Sequence, residues 1–150
     1  GHKGQLYEGG IRTPAVIYWP GHFENKKLEE PINISDWMPT FASLLNIKFD
    51  NDPQWDGENI LPVIEKKKSI ADEKVIYWNL RHQRFAIRKG NWKLIVRELE
   101  GEEELYNLDN DPLEEKNLAS KKLQKVEELK KVLIKEQRLD DSSKRDDIEG

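Results

Sequence analysis

Residues 75–108 read VIYWNLRHQRFAIRKGNWKLIVRELEGEEELYNL, and four short runs within them are rich in β-branched and aromatic residues. Such runs, separated by polar or glycine-containing stretches, are typical of β-strands. Gly90, between the second and third runs, supplies the residue that a tight hairpin needs. We therefore predict a four-stranded antiparallel sheet with strands near residues 75–78, 85–88, 92–96 and 105–108.

A helix is predicted after the sheet, over residues 120–138, because apolar residues recur at helical spacing. The apolar stripe consists of Leu123, Val126, Leu129 and Leu133. The stripe is narrow and lacks aromatic residues, which favours packing on the sheet over binding a membrane or a partner protein. Residues 140–150 hold five acids, two bases and one aliphatic residue, so we predict a disordered tail there.

The first part of the chain differs in composition and in hydrophobic pattern. Residues 1–13 hold four glycines and no hydrophobic period, which predicts an irregular loop. Residues 14–19 form a continuous apolar run, typical of a strand buried on both faces. Asp36 is expected to cap a helix that runs to about Asn46. We therefore predict an α+β organisation with three parts, residues 1–64, 65–139 and 140–150.

Charge and composition exclude several classes of protein. The 150 residues include 25 Lys and Arg against 29 Asp and Glu, a net charge of −4, which argues against a nucleic-acid partner. The longest apolar runs are far too short to span a bilayer, so no membrane partner is expected. The chain has no cysteine, which removes disulfides, thiolate zinc sites and cysteine nucleophiles. It starts at Gly1 without an initiator Met, so we expect a piece of a longer protein.

Two aspartate clusters and three histidines are candidate metal ligands by residue type. A calcium-loop register starting at Asp52 has Val63 where the bidentate Glu is required, and Asp111 is followed by Pro112. Turn formation is the favoured interpretation of both clusters, and no metal site is predicted. His82 lies in the polar loop 81–84, where it is a candidate for substrate contact or a solvated residue.

The opening segment is the strongest candidate site. It places Lys3, Glu8 and Arg12 along a glycine-rich turn, and glycines let backbone approach a ligand closely. Cationic side chains there would suit an anionic ester oxygen. The residues alone leave a second interpretation open, in which Glu8 and Arg12 pair to fix the loop and Lys3 is solvated.

The same segment, GHKGQLYEGGIRTP at residues 1–14, closely resembles the second signature region of the formylglycine-dependent, arylsulfatase-like sulfatases. In that family a Gly-x-Lys-Gly-x-x-Tyr-Glu-Gly-Gly-x-Arg-x-Pro pattern enters a strand. The resemblance continues over about residues 1–135. Its other matches are WPG at 19–21, DWMPT at 36–40, DG at 56–57, IRKGNWKL at 87–94 and ELYNL at 104–108.

The resemblance implies the C-terminal part of a sulfatase with the alkaline-phosphatase superfold. Residues 1–64 would be the last strand and helix of the α/β main domain, followed by a small subdomain with an antiparallel sheet and a final helix. It implies that Lys3 contacts the sulfate group as a catalytic and substrate-binding residue. Glu8, Gly9, Gly10 and Arg12 match structural positions of the signature.

The resemblance also implies partners and cofactors. The intact enzyme would cleave sulfate monoesters of small molecules or carbohydrates with Ca²⁺ and formylglycine, in the periplasm or outside the cell. Their ligands and the Cys/Ser-x-Pro-x-Arg motif are absent from this sequence, so we expect this chain alone to be inactive and to need the N-terminal sulfatase domain. The alternatives are a non-catalytic anion- or glycan-binding module and, less favoured, a phosphatase of the same superfold.

Overall fold

The computed structural model describes residues 1–65, 69, 74–80, 84–97 and 101–146, with the backbone alone for 141–146. The chain divides into two compact units, one formed by Gly1–Pro14 with Glu73–Gly150 and the other by Ala15–Asp72. This differs from the predicted division at residue 64. The opening segment belongs to the unit that contains the sheet, because Leu6 packs on Ala86 and Ile95 and Glu8 pairs with Lys93.

The first unit is built on a four-stranded antiparallel sheet, in the order β1-β2-β3-β4, as predicted. The strands are β1 Val75–Leu80, β2 Arg84–Lys89, β3 Trp92–Arg97 and β4 Glu103–Asn107. Gly90 turns the chain between β2 and β3 with a φ of 59°, a left-handed conformation in which glycine is not strained. The strand ends Lys89 and Trp92 pair directly across this hairpin.

One face of the sheet carries the main hydrophobic core. A long helix, α4 Leu123–Asp146, follows a 3-10 turn at Ala119–Lys121 and covers this face. The buried residues of the core are Phe85, Ile87, Leu94, Val96, Leu105, Val126, Leu129 and Leu133. Three members of the predicted apolar stripe are therefore buried, whereas Leu123 at the start of the helix is 66% exposed.

Helix α4 extends beyond the predicted end at residue 138. It continues to Asp146, so the prediction of disorder over 140–150 is wrong for residues 140–146. Extending an existing helix fixes one residue for each added hydrogen bond, which costs far less than starting one. The side-chain amide of Asn79 in β1 also donates to Asp140 Oδ2 at 2.8 Å and anchors this part of the helix. Residues 147–150 lie outside the described residues.

In its described residues, the second unit contains two short helices and a small core. After a 3-10 turn at Ile34–Asp36 come α2 Trp37–Leu44 and, later, α3 Leu61–Ile64. The predicted helix is confirmed and Asp36 is its N-cap residue, as predicted, but the Asp36 side chain does not form the cap hydrogen bond. The Asp36 carboxylate accepts from the backbone N–H groups of Asn33 at 2.7 Å and Glu58 at 2.9 Å, and it makes no side-chain cap to α2. Asp36 thus connects the segment before α2 with the segment before α3.

The predicted buried strand over 14–19 is wrong. Residues 12–19 have no regular secondary structure, and Val16 and Tyr18 are 92% and 86% exposed. A strand is stabilised by hydrogen bonds to neighbouring strands, and in the described ranges the four strands of the sheet pair only with one another. Among the described helices, none is long and apolar enough to cross a membrane.

Candidate functional site

Lys3 lies at the tip of a closed turn. The backbone N–H of Gln5 donates to the carbonyl of His2 at 3.1 Å, and the His2 N–H donates to Gln5 Oε1 at 3.1 Å. Gly4 follows Lys3 with a φ of 88°, the value that the third residue of a type II turn requires. The Lys3 side chain is exposed. The turn therefore presents an ammonium group from a defined backbone position.

Two glycines let this turn lie directly on the next element, the short helix α1 Glu8–Ile11. A Cβ added to Gly10 would lie 2.6 Å from the His2 carbonyl oxygen and would also collide with the Gln5 carbonyl. A Cβ added to Gly9 would collide with the carbonyl of Gly1. Backbone this close tolerates no side chain. The predicted structural role of Gly9 and Gly10 therefore has a steric explanation.

Helix α1 is joined to the sheet through a buried ion cluster. The Lys93 side chain in β3 is 0% exposed, and its Nζ lies 2.9 Å from Glu8 Oε1 and 2.8 Å from Glu114 Oε1. The Glu8 backbone N–H donates to the other Glu114 oxygen at 2.5 Å. Lys93 Nζ also lies 5.6 Å from the centre of the Trp78 ring, within cation–π range. A loop carboxylate, a strand ammonium and a turn carboxylate thus form one unit, which we call the Lys93 cluster.

Glu114 has an unusual backbone conformation. Its φ is 58°, in the left-handed region, where a residue other than glycine costs about 1–3 kcal/mol. The residue sits in the turn after β4, where Asp111 accepts from the N–H groups of Glu115 at 3.0 Å and Lys116 at 2.8 Å. These two hydrogen bonds lower the pKa of Asp111. The turn and the Lys93 cluster together hold Glu114 in this conformation.

A second group of contacts fixes the residues just before α1. Tyr7 and Tyr106 both donate a phenolic hydrogen to Glu104 Oε2, each at 2.7 Å. Leu6 is buried with Ala86, Ile95 and Tyr106 on the sheet face opposite α4. Burial raises the pKa of both tyrosines, and the hydrogen bond to Glu104 and its negative charge raise it further. Both phenols therefore stay protonated as donors at neutral pH.

Arg12 lies at the C-terminal end of α1, near the same face of the sheet. Burial lowers the pKa of Arg88 in β2, and the nearby charge of Arg12 lowers it further, while Glu8 and Asp109 act in the opposite direction. Arg88 Nε donates to the Gly90 carbonyl at 3.0 Å. The predicted pairing of Glu8 with Arg12 stays a prediction, whereas Glu8 clearly pairs with Lys93.

The irregular loop predicted over residues 1–13 is wrong for residues 8–11, which form helix α1. Most of the predicted site residues lie in this opening segment. Lys3, Glu8, Gly9, Gly10 and Arg12 all belong to the segment that packs on the sheet. His82 lies outside the described residues, so its role stays a prediction. Within the described parts of the chain, no three His, Cys, Asp or Glu side chains gather where they could hold a metal ion.

Sequence reasoning missed three residues of the site, namely Lys93, Glu104 and Glu114. A lysine between Trp92 and Leu94 in a strand rich in apolar residues was a usable signal, because a charge on a covered sheet face requires a partner. No comparable signal marked Glu114. Its partner Glu8 lies 106 residues earlier in the chain, beyond any local pattern.

Comparison with known proteins identifies a family that this chain matches. The family model described as N-sulphoglucosamine sulphohydrolase, C-terminal, matches residues 2–142. An N-acetylgalactosamine-6-O-sulfatase of Bacteroides thetaiotaomicron is 29% identical over 147 residues, covering 89% of this chain and 29% of that protein. The chain spans 13–29% of the lengths of the curated relatives it matches.

Two solved structures have a similar fold. The crystal structure of Ps i-CgsB matches with a TM-score of 0.66 and 25% identity, over 75% of this chain and 26% of that one. The structure of BT4656 in complex with D-glucosamine-2-N,6-O-disulfate matches with a TM-score of 0.52 and 28% identity, over 69% of this chain and 23% of that one.

Proposed function

Because this chain belongs to the sulfatase family, as a C-terminal domain of the N-sulphoglucosamine sulphohydrolase type, we propose that its protein hydrolyses sulfate monoesters and that Lys3 contacts the sulfate. The observation that carries the proposal is the position of Lys3. It lies at the tip of a turn that is closed by hydrogen bonds and packed on two glycines. The turn lies in the segment that resembles the family signature.

The chemistry of Lys3 follows from its charge. An ammonium beside a sulfate oxygen stabilises the negative charge that grows as the S–O bond breaks. Such stabilisation accelerates the reaction only when the cation is held in place before the reaction, because reorganisation would consume part of the gain. The closed turn fixes the backbone of Lys3, and its exposed side chain is accessible to a ligand, which would complete the positioning of the ammonium group.

The substrate class that we propose is a sulfated carbohydrate. The relative from Bacteroides thetaiotaomicron is an N-acetylgalactosamine-6-O-sulfatase, and BT4656 was solved with a sulfated glucosamine. His82, in the loop 81–84, remains our candidate for a contact to this substrate. Location in the periplasm or outside the cell remains a prediction from the family resemblance.

Calcium and formylglycine are implied by the resemblance, but the described residues do not fit either group. No three His, Cys, Asp or Glu side chains of the described ranges come together as a metal site. The sequence has no Cys/Ser-x-Pro-x-Arg motif from which formylglycine would be made. We therefore assign neither group to residues of this chain and derive no step through them.

The partner that we propose for the second unit is the N-terminal sulfatase domain. The Ala15–Asp72 unit exposes several large apolar side chains, Val16, Tyr18, Met38, Phe41 and Leu45 among them. Met38 and Phe41 in α2 and Leu45 just after it recur at helical spacing and so share one face, and a contiguous exposed apolar patch marks an interaction surface. The chain spans only 29% of its N-acetylgalactosamine-6-O-sulfatase relative, which leaves ample protein to cover this surface.

Replacement of Lys3 tests the proposal. In the full-length enzyme, we expect Lys3→Ala to lower turnover about 100- to 1000-fold, as for other lost transition-state charge stabilisers. The measurement is the release of inorganic sulfate from a 6-O-sulfated amino sugar. Lys131→Ala is the matched control, since Lys131 is exposed on α4, and it should retain normal turnover. Near-normal turnover of Lys3→Ala would refute the role of Lys3.

The same assay separates the alternatives. Wild-type protein that binds the sulfated sugar but releases no sulfate would support the anion- or glycan-binding module. Faster release of phosphate from the corresponding phosphate ester would support a phosphatase. Sulfate release that depends on Lys3 supports the sulfatase.

A further inference from the structure

Three consecutive residues attach the opening loop to the sheet. Leu6 is buried against Ala86 and Ile95, and the Tyr7 hydroxyl donates to Glu104. Glu8 then contributes its carboxylate to Lys93 and its backbone N–H to Glu114. These contacts all lie on the sheet face opposite α4, since Lys93 and Ile95 alternate along β3 with the core residues Leu94 and Val96.

The Lys93 cluster is the charged part of this attachment. A buried ammonium requires close anionic partners, because desolvation of an unpaired charge costs many kcal/mol. Lys93 has two such partners, and Glu114 contacts both Lys93 and the backbone of Glu8. Glu8 therefore holds helix α1 in two ways, through its carboxylate and through its backbone N–H.

The position of Lys3 depends on that helix. The turn at residues 2–5 lies against Gly10, so closely that a Cβ there would lie 2.6 Å from the His2 carbonyl oxygen. Gly9 lies equally close to the Gly1 backbone, so a Cβ at Gly9 would collide with the Gly1 carbonyl. A movement of α1 therefore moves the backbone on which Lys3 sits. Close-packed backbone transmits such shifts because it has little free volume to absorb them.

We propose that Glu8, Lys93 and Glu114 are positioning residues for Lys3. They hold α1 on the sheet, and α1 holds the turn that presents the Lys3 ammonium to the sulfate. This inference rests on the proposed sulfate contact of Lys3 and extends it to residues of the C-terminal sheet. The sheet thus contributes to catalysis by fixing the backbone that carries the Lys3 side chain.

A double-mutant cycle in the full-length enzyme tests this proposal. Glu8→Gln removes the loop carboxylate charge while leaving Lys93 paired with Glu114, so the fold should persist. We expect kcat for sulfate release from a 6-O-sulfated amino sugar to fall about 10- to 100-fold, as for a misplacement of roughly 1 Å. KM should change by less than about 3-fold, since Lys3 acts mainly on the transition state.

The informative quantity is the effect of Glu8→Gln in a Lys3→Ala background. If Glu8 acts through Lys3, the second substitution changes kcat by less than about 2-fold there, because coupled residues are not additive. An equal loss in both backgrounds would show a merely structural role and would overturn the proposal. Unchanged kcat for Glu8→Gln alone would also overturn it. Little effect of Lys3→Ala itself would instead refute the proposed function, and the inference with it.

Two further variants complete the experiment. Glu103→Gln is the matched control, because Glu103 pairs with Lys130 of α4 at 2.6 Å on the other face of the sheet. It should leave kcat and the coupling unchanged. If Glu8→Gln loses its cooperative thermal transition, Glu114→Gln replaces it in the same cycle. Its amide oxygen can still accept from the Glu8 N–H, and the same coupling is expected.

Discussion

At the residue scale, Lys93 joins two distant parts of the chain. Its ammonium group is fully buried between the carboxylates of Glu8 and Glu114. Removing either glutamate leaves Lys93 with one partner, whereas removing Lys93 leaves two carboxylates close together without a cation. Removing Lys93 breaks both buried ion pairs and costs about 3–5 kcal/mol, whereas removing one glutamate costs less because Lys93 keeps the other. The cluster therefore tolerates the loss of one carboxylate better than the loss of the ammonium group.

The raised pKa values of Tyr7 and Tyr106 predict that the free energy of unfolding falls at alkaline pH. Burial raises the pKa of both phenols above their usual value of about 10, so the folded protein holds these protons more tightly than the unfolded chain. Their contribution is fully present below about pH 10 and is lost as the pH rises further. The measurement is the free energy of unfolding in urea from about pH 8 to about pH 11.

A conservative replacement tests the assignment of this effect to the two phenols. Tyr106→Phe should flatten the alkaline decrease, because it removes one of the two shifted groups. Tyr18→Phe, at a residue that is 86% exposed, is the matched control and should leave the decrease unchanged. Equal alkaline slopes for Tyr106→Phe and the wild type would contradict the assignment.

At the element scale, the strands and α4 were predictable because their patterns are local. Alternation along β3 separates Leu94 and Val96 from Lys93 and Ile95, whatever covers either face. The prediction of a strand over 14–19 was wrong because a strand also needs a neighbouring strand to pair with, and an apolar run does not show whether one is present. The prediction of where α4 ends was wrong because a run of charged and polar residues is compatible both with a disordered tail and with an exposed helix.

The packing of α4 predicts unequal effects of two leucines in the same predicted stripe. Leu129 is 1% exposed and Leu123 is 66% exposed. Leu129→Ala should lower the free energy of unfolding by about 2–5 kcal/mol, because it leaves a cavity in the core. Leu123→Ala should change it by less than about 0.5 kcal/mol. Similar losses in urea denaturation would contradict the described docking of the helix.

In the molecule as a whole, the candidate site depends on contacts between residues that lie far apart in the sequence. Glu8 meets Lys93 across 85 residues and Glu114 across 106. The sequence pattern and the family resemblance indicated that the opening loop carries the site, but neither showed which surface holds it. Such contacts depend on how the whole chain folds, so no local period or motif predicts them.

A crystal structure of the full-length protein with a sulfated amino sugar bound would show directly whether Lys3 contacts the sulfate. We expect Lys3 Nζ within hydrogen-bond distance of a sulfate oxygen, about 2.7–3.2 Å, with Lys93 still between Glu8 and Glu114. A sulfate group held by other residues, with the Lys3 side chain directed into solvent, would contradict this expectation.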